Sequence, residues 1–358
     1  MVGNTFVINA VAHAYDLSDA NVCDNRYARA VRDQLVALHR DMQPGLGLDA
    51  SSQRTDWPVE VLARTLFLET DVDLAAVHTL RLDSYFQDGL VARSKTVEAV
   101  RRWPHRFLAY VGVDPTQPVK ECIRDLDDQL DELPESVGLK LYPAQVDPFR
   151  AFRMDDPEAA FPLFDRAAER GIKTVAVHKA SPLGPVPLNP YRIDDVDLAA
   201  DAFPQLSFEI VHAGLAFLEE TALAIARYPN VYANLEVTSA LVNTAPGLFE
   251  QVLATLVAWG SAHKIVFSDG NMVFHSQPIL ERLATYEFQP ETLAAFGVQQ
   301  LTAGDRAAIL GGNLARILDI DVAEALARIV DDEFARERAF SGHQPPYSNW
   351  RAWLRRAA

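Results

Sequence analysis

Two rhythms alternate along most of the chain. Short apolar runs rich in β-branched residues have no polar face, the pattern of strands covered on both sides. They fall at Thr5–His13, Asp73–Leu80, Arg106–Asp114, Val137–Tyr142, Ile172–His178, Leu206–His212, Asn230–Glu236 and Lys264–Asp269. Between them lie amphipathic stretches such as VKECIRDLDDQLDEL and AAFPLFDRAAERG. Gly171, Pro204 and Pro229 stand just ahead of runs five, six and seven, where turns are needed. Strands alternating with helices in this way predict an α/β fold, a (β/α)8 TIM barrel. The second run, DLAAVHTL, reads equally well as part of a helix.

Three segments leave this rhythm. A long polar connection over 15–59 follows the first run and is long enough for a lid or a pocket wall. SPLGPVPLNPYR follows the fifth run, and its four prolines stiffen it. Both have the plain alternative of a surface loop. Residues 321–358 read as a helix, then SGHQPPYSNW, then a short basic helix. The expected organisation is therefore a barrel over 1–320 and a helical tail over 321–358. The tail is expected to dock on the barrel or on a second copy in a homodimer.

Composition narrows the partners. Apolar residues make up 49% of the 358, ample for one large core. No run approaches the roughly 20 apolar residues that span a bilayer, and the opening MVGNTFVINAVAHAY lacks the basic start of a signal peptide. Two cysteines in unrelated contexts argue against a disulfide framework and fit a reducing cytoplasm. A formal charge of −16 disfavours nucleic acid and anionic membrane surfaces. A small-molecule substrate is left as the expected partner.

The candidate chemistry sits at the ends of the apolar runs. FVINAVAH ends in His13, TVAVH in His178, FEIVH in His212 and KIVFSD in Asp269; YANLEVTS carries Glu236. In a parallel barrel these ends converge on the catalytic face. Histidine and carboxylate are ligands for zinc, iron and manganese, so His13, His178, His212, Glu236 and Asp269 form a candidate metal set. Simpler readings exist: Asp269 as a helix N-cap, and Glu236 as the partner of Lys140.

The order of these residues resembles the amidohydrolase superfamily, especially its branch of decarboxylases and small-ring hydrolases. VAVHKA, IVHAG and FSDGNM match its later strands, GLKLYP with Lys140 looks like its GxK segment, and AAILGGNLARIL resembles its last barrel helix. The resemblance spans roughly residues 5 to 318 and implies a metal-dependent barrel enzyme. Strand one departs from it. The family's Asp-x-His-x-His is INAVAH here, with Asn9 and Val11 in place of an acid and a ligand. That change, with Glu236, is similar to a smaller branch, the non-haem diiron monooxygenases of platensimycin-type diterpenoid biosynthesis.

Four functions follow. The leading expectation is iron-dependent hydroxylation, with two Fe ions, an external electron donor and a bulky apolar, terpenoid-like acid or thioester. The others are a metal hydrolase using Zn or Mn, a non-oxidative decarboxylase of an aromatic acid, and a metal-free binding protein. Asp269 and Lys140 are the candidate catalytic residues, with Lys140, Tyr142 and Tyr15 expected to bind substrate. The aromatics Tyr85 and Phe86 are also counted toward an apolar pocket. His78 and His275 remain open between site and scaffold. His39, His105, His263 and His343 are expected on the surface or tail, and Glu209 is expected to face the outer helices.

Overall fold

A computed structural model describes residues 5–43 and 45–357; the ends of the expected barrel and tail ranges, and the first residues of the opening segment, lie outside them. The eight apolar runs become eight parallel strands: β1 Ile8–Ala12, β2 Leu74–His78, β3 Phe107–Val113, β4 Gly138–Leu141, β5 Thr174–His178, β6 Ser207–Val211, β7 Val231–Asn234 and β8 Ile265–Val266. They pair in chain order. Ala10 N–H donates to the Phe267 carbonyl at 3.0 Å, and Ala12 and Asn271 form a parallel bridge, so the sheet curls until β8 nearly meets β1. The result is a (β/α)8 barrel, as the alternation predicts. Within DLAAVHTL, LAAVH is a strand, buried throughout.

Every strand is shorter than its apolar run. The extra residues past the C-terminal strand ends cross from ladder to loop while staying buried, which is where functional side chains sit in this fold. Two glycines permit close approaches. A Cβ on Gly138 would lie 2.3 Å from the Tyr110 ring, and one on Gly311 would lie 2.5 Å from the Phe6 carbonyl oxygen. The first lets an aromatic fill the barrel, and the second lets the last barrel helix close against β1.

The 15–59 connection is not a bare loop. Asn25 caps a helix over Arg26–Asp41 by accepting from Ala28 N–H at 2.9 Å. Val31, Val36 and His39 of that helix are buried. His39 therefore is no surface residue: its Nδ1 donates to the Val273 carbonyl at 2.8 Å and its Nε2 accepts from Leu48 N–H at 2.8 Å. His105, His263 and His343 are exposed, as expected.

The tail helices Glu333–Ser341 and Ser348–Ala357 lie against the helix Val59–Glu69, and Val322–Ile329 packs on the apolar cluster of Ile8, Ala10 and Val11. Trp350 packs edge-on against Trp57 at 4.2 Å, and Gln344 N–H reaches the Leu68 carbonyl at 3.0 Å. Among the described residues no helix is long and apolar enough to cross a membrane.

Candidate functional site

Glu236, just beyond β7, is the hub of the catalytic face. Its N–H donates to the Asn234 side chain at 3.1 Å, which fixes the turn. Its carboxylate lies 3.3 Å from His13 Nε2, 3.6 Å from His212 Nε2 and 3.7 Å from Lys140 Nζ. All four side chains are buried. Burial alone would raise the Glu236 carboxyl. The neighbouring His212 ring, the Lys140 ammonium and the hydrogen bond with His13 more than offset it and hold the group well below the usual range. Burial lowers Lys140, opposed by Glu236 and Glu209. Lys140 Nζ makes no hydrogen bond among the described residues.

His178 and His212 carry the most specific information. His178 Nε2 donates to the Ser181 carbonyl at 2.7 Å, and His212 Nδ1 donates to the Glu236 carbonyl at 3.1 Å. A carbonyl can only accept, so both outer nitrogens hold protons. Burial keeps both rings neutral, with His212 lowered to about 4 and His178 well below its usual value. The inner nitrogens, His178 Nδ1 and His212 Nε2, then face each other at 3.0 Å with two lone pairs. Lone pairs at that distance repel unless a cation lies between or beside them. The spacing suits two nitrogens on one ion at ordinary metal–nitrogen distances of about 2.0–2.1 Å. Backbone carbonyls fixing the tautomers are the usual support for histidine ligands. Among the described residues, no three histidine, cysteine or carboxylate side chains already converge on one metal position. Glu236 instead divides its oxygens between His13 and the His212–Lys140 side.

Asp269 stands apart from this hub. Its Oδ1 accepts from the Asn9 amide at 2.7 Å and from Asn271 N–H at 2.9 Å, and its buried Oδ2 has no hydrogen-bond partner among the described residues. Burial, with repulsion from Glu236, raises the carboxyl to about 6. Asn9 thus holds the β8 aspartate. Val11 is buried among apolar neighbours.

A cavity opens above the hub and encloses about 540 Å³ of empty space, including the part open to solvent. His178, His212, Glu236, Tyr15 and Tyr142 line it, whereas His13, Lys140 and Asp269 do not. Tyr142 stacks on His178 at 4.7 Å and Tyr15 lies 4.9 Å from His13. Leu35 and Leu38 from the helix Arg26–Asp41 and Leu183 from the proline-rich loop complete an apolar wall with Leu90, Val273 and Phe274. Both insertions therefore reach the site. Tyr85 and Phe86 are buried elsewhere and do not line it.

One further position differs from the sequence expectation, and two that it left open find their partners. Glu209 faces the barrel interior: it accepts from Tyr110 O–H at 2.8 Å, Thr174 O–H at 3.0 Å and the Asn234 amide at 2.7 Å, from three other strands. Strand alternation would put His212 on the opposite side, but its φ of 65° turns the backbone and brings its ring inward too. His78 Nε2 donates to the Ala10 carbonyl at 2.8 Å, and its ring stacks on Tyr110. His275 is buried against Glu69 rather than facing the cavity. Gly270, Val273 and Phe274 were not singled out by the sequence; only their place beside FSD pointed to them.

Comparison with known proteins agrees with this architecture. The family model described as amidohydrolase matches residues 87–320, more than half of the chain. The matched span begins after β2, so the altered first strand lies outside it. No curated protein matches the chain. Among solved structures, an uncharacterized TIM-barrel protein from Bordetella bronchiseptica superposes with a TM-score of 0.62 at 16% identity, covering 88% of this chain and 98% of that one. The 2,6-dihydroxybenzoate decarboxylase from Rhizobium gives 0.56 at 15% identity, covering 88% and 99%. A 5-carboxyvanillate decarboxylase from Novosphingobium aromaticivorans, with bound manganese, gives 0.51 at 13% identity, covering 88% and 97%. With a nearly closed eight-stranded barrel, histidines at the ends of β5 and β6 and a buried aspartate after β8, the chain belongs to the amidohydrolase family.

Proposed function

We propose that this protein is a metal-dependent enzyme that removes CO2 from an aromatic carboxylic acid without an oxidant. The observation that carries the reading is the pair of facing lone pairs on His178 and His212, set beside Glu236 in the wall of an apolar cavity. His178, His212 and Glu236 would hold the ion, with His13 as a further donor through the nitrogen now on Glu236. Manganese or zinc suits this mixed histidine and carboxylate set. When bound, the ion supplies a positive centre for the substrate's oxygen atoms.

The chain's own residues do the rest. The apolar wall takes the ring and excludes water. Lys140 keeps Glu236 ionised and offsets the negative charge of an entering carboxylate. As the bond between ring and carboxylate breaks, its electron pair stays on the ring carbon, which then needs a proton. Asp269, raised to about 6 and next in the chain to Gly270 of the cavity wall, is assigned as the source of that proton. The same carboxyl, ionised above that pH, would accept a proton from water. Hydrolysis of a ring ester or amide is therefore the second reading.

The hydroxylation expected from Val11 and Glu236 finds no support among the similar structures, which include decarboxylases. One experiment separates the three. Protein purified without chelators is analysed for metal, then incubated without oxygen with hydroxybenzoic acids and with ring lactones and amides. Release of CO2 is expected. Ring opening without CO2 would select hydrolysis. Turnover only with oxygen, iron and a reductant would overturn both.

A further inference from the structure

A second cavity lies beside the first, lined by Met42, Leu46, Ala240, Phe274, Pro278 and Ile279, with Gln43, Asn243 and His275 at its edges. It holds about 560 Å³ of empty space, including the part open to solvent. Among the described residues, Phe274 alone lines both. The helix Arg26–Asp41 roofs the pair: Leu35 and Leu38 look into the first cavity, and Met42, just past the helix end, into the second.

The backbone on either side of Phe274 is pinned. The Phe274 carbonyl accepts from the Asn271 amide at 3.2 Å, and His275 N–H donates to Gln43 at 2.6 Å. The ring, itself buried, stands between the two cavities.

The second cavity has little to offer a charged group. Gln43 gives its amide N–H to the Val273 carbonyl at 2.6 Å and accepts from Tyr347 O–H at 2.9 Å as well as from His275. His275 donates from Nε2 to Glu69 at 3.1 Å and accepts at Nδ1 from Gln277 N–H at 3.3 Å. Asn243 is exposed at the rim. The buried polar atoms are thus engaged within the protein, and an ionic ligand group placed there would be left without a partner. An apolar group would lose nothing by entering.

We propose that the second cavity is a subsite for an apolar substituent of the substrate, and that the Phe274 ring is the partition that sets how large that substituent can be. The inference rests on the aromatic-acid reading above and names the substrate class more narrowly: a ring acid with its carboxylate at the His178–His212–Glu236 wall and an aryl or alkyl extension directed past Phe274.

The test uses the full chain loaded with manganese, and compares binding of benzoate and biphenyl-4-carboxylate to the parent protein and to Phe274→Ala by calorimetry. Opening the partition is expected to tighten biphenyl-4-carboxylate relative to benzoate by about tenfold, a differential gain of about 1.4 kcal/mol. Equal gains for both acids, or no gain for the longer one, would overturn the partition. If benzoate binds neither protein, the acid reading fails and the subsite falls with it. A measurement on the unaltered protein guards against a variant that does not fold: crystals under xenon pressure should take up xenon in the second cavity, as dry apolar cavities do. Ordered water filling that cavity in place of xenon would overturn its apolar character, whatever the outcome at the first site.

Discussion

Glu69 and His275 meet at 3.1 Å with both side chains fully buried, joining the helix before β2 to the loop after β8. The same carboxylate accepts from Tyr347 N–H at 2.5 Å, Asn349 N–H at 2.8 Å and the Asn349 amide at 2.7 Å. One glutamate from the barrel therefore caps the last helix of the tail. Tyr347 in turn reaches the Met272 carbonyl at 3.1 Å, beside the cavity wall.

Removing that carboxylate should loosen tail and β8 loop together. Glu69→Ala is expected to destabilise the protein by about 3–5 kcal/mol, because several buried donors lose their only strong acceptor. Denaturant unfolding followed by tryptophan fluorescence reads this directly, since Trp350 and Trp57 are in contact. A loss below about 1 kcal/mol would show that the tail does not depend on the cap.

Lys179 holds the proline-rich loop shut. It donates to Asp195 at 2.8 Å and to the Pro190 carbonyl at 3.0 Å, all buried, one residue from His178. Lys179→Met leaves Asp195 charged and unpaired and should cost about 3–5 kcal/mol, whereas the double change Lys179→Met with Asp195→Leu should recover most of it. Thermal unfolding of the three proteins measures the difference. A double variant as unstable as the single one would place the cost in packing and not in the stranded charge.

His39 should make the fold acid-sensitive. Burial lowers its pKa from 6.5 to about 4. Between those values the unfolded chain binds a proton that the folded one refuses, so stability rises with pH across that window. Its contribution is complete above pH 6.5 and is lost as pH falls toward 4, by roughly 3 kcal/mol in all. Urea unfolding at several pH values should show a shallower acid loss for His39→Gln than for the parent, with the other buried histidines supplying what remains. Identical slopes for the two proteins would remove His39 from the account.

Metal content and turnover should separate donors from the proton-transfer group. His178→Ala and Glu236→Ala are expected to lose most bound metal, because a site this small cannot spare a donor. Asp269→Asn should keep the metal and lose about 10²–10⁴ in rate. Elemental analysis beside a CO2 assay decides this. Metal lost equally from Asp269→Asn would make Asp269 a donor, as the sequence pattern first suggested.

The barrel was legible in the sequence because strands covered on both faces must be apolar throughout, and that leaves a mark in every run from Thr5 to Asp269. The strand-end positions of His13, His178 and His212 were legible for the same reason: parallel strands bring their ends to one face whatever the intervening helices do. Alternation also predicted that Glu209 and His212 point opposite ways. That rule assumes one backbone conformation along the run, and the φ of 65° at His212 breaks it, so both side chains point inward. The burial of His39, the cap on the tail by Glu69 and the place of Phe274 between two cavities depend on partners far away in the chain. No local pattern encodes them, because they exist only once β8, the helix Arg26–Asp41 and the tail have been packed against one another.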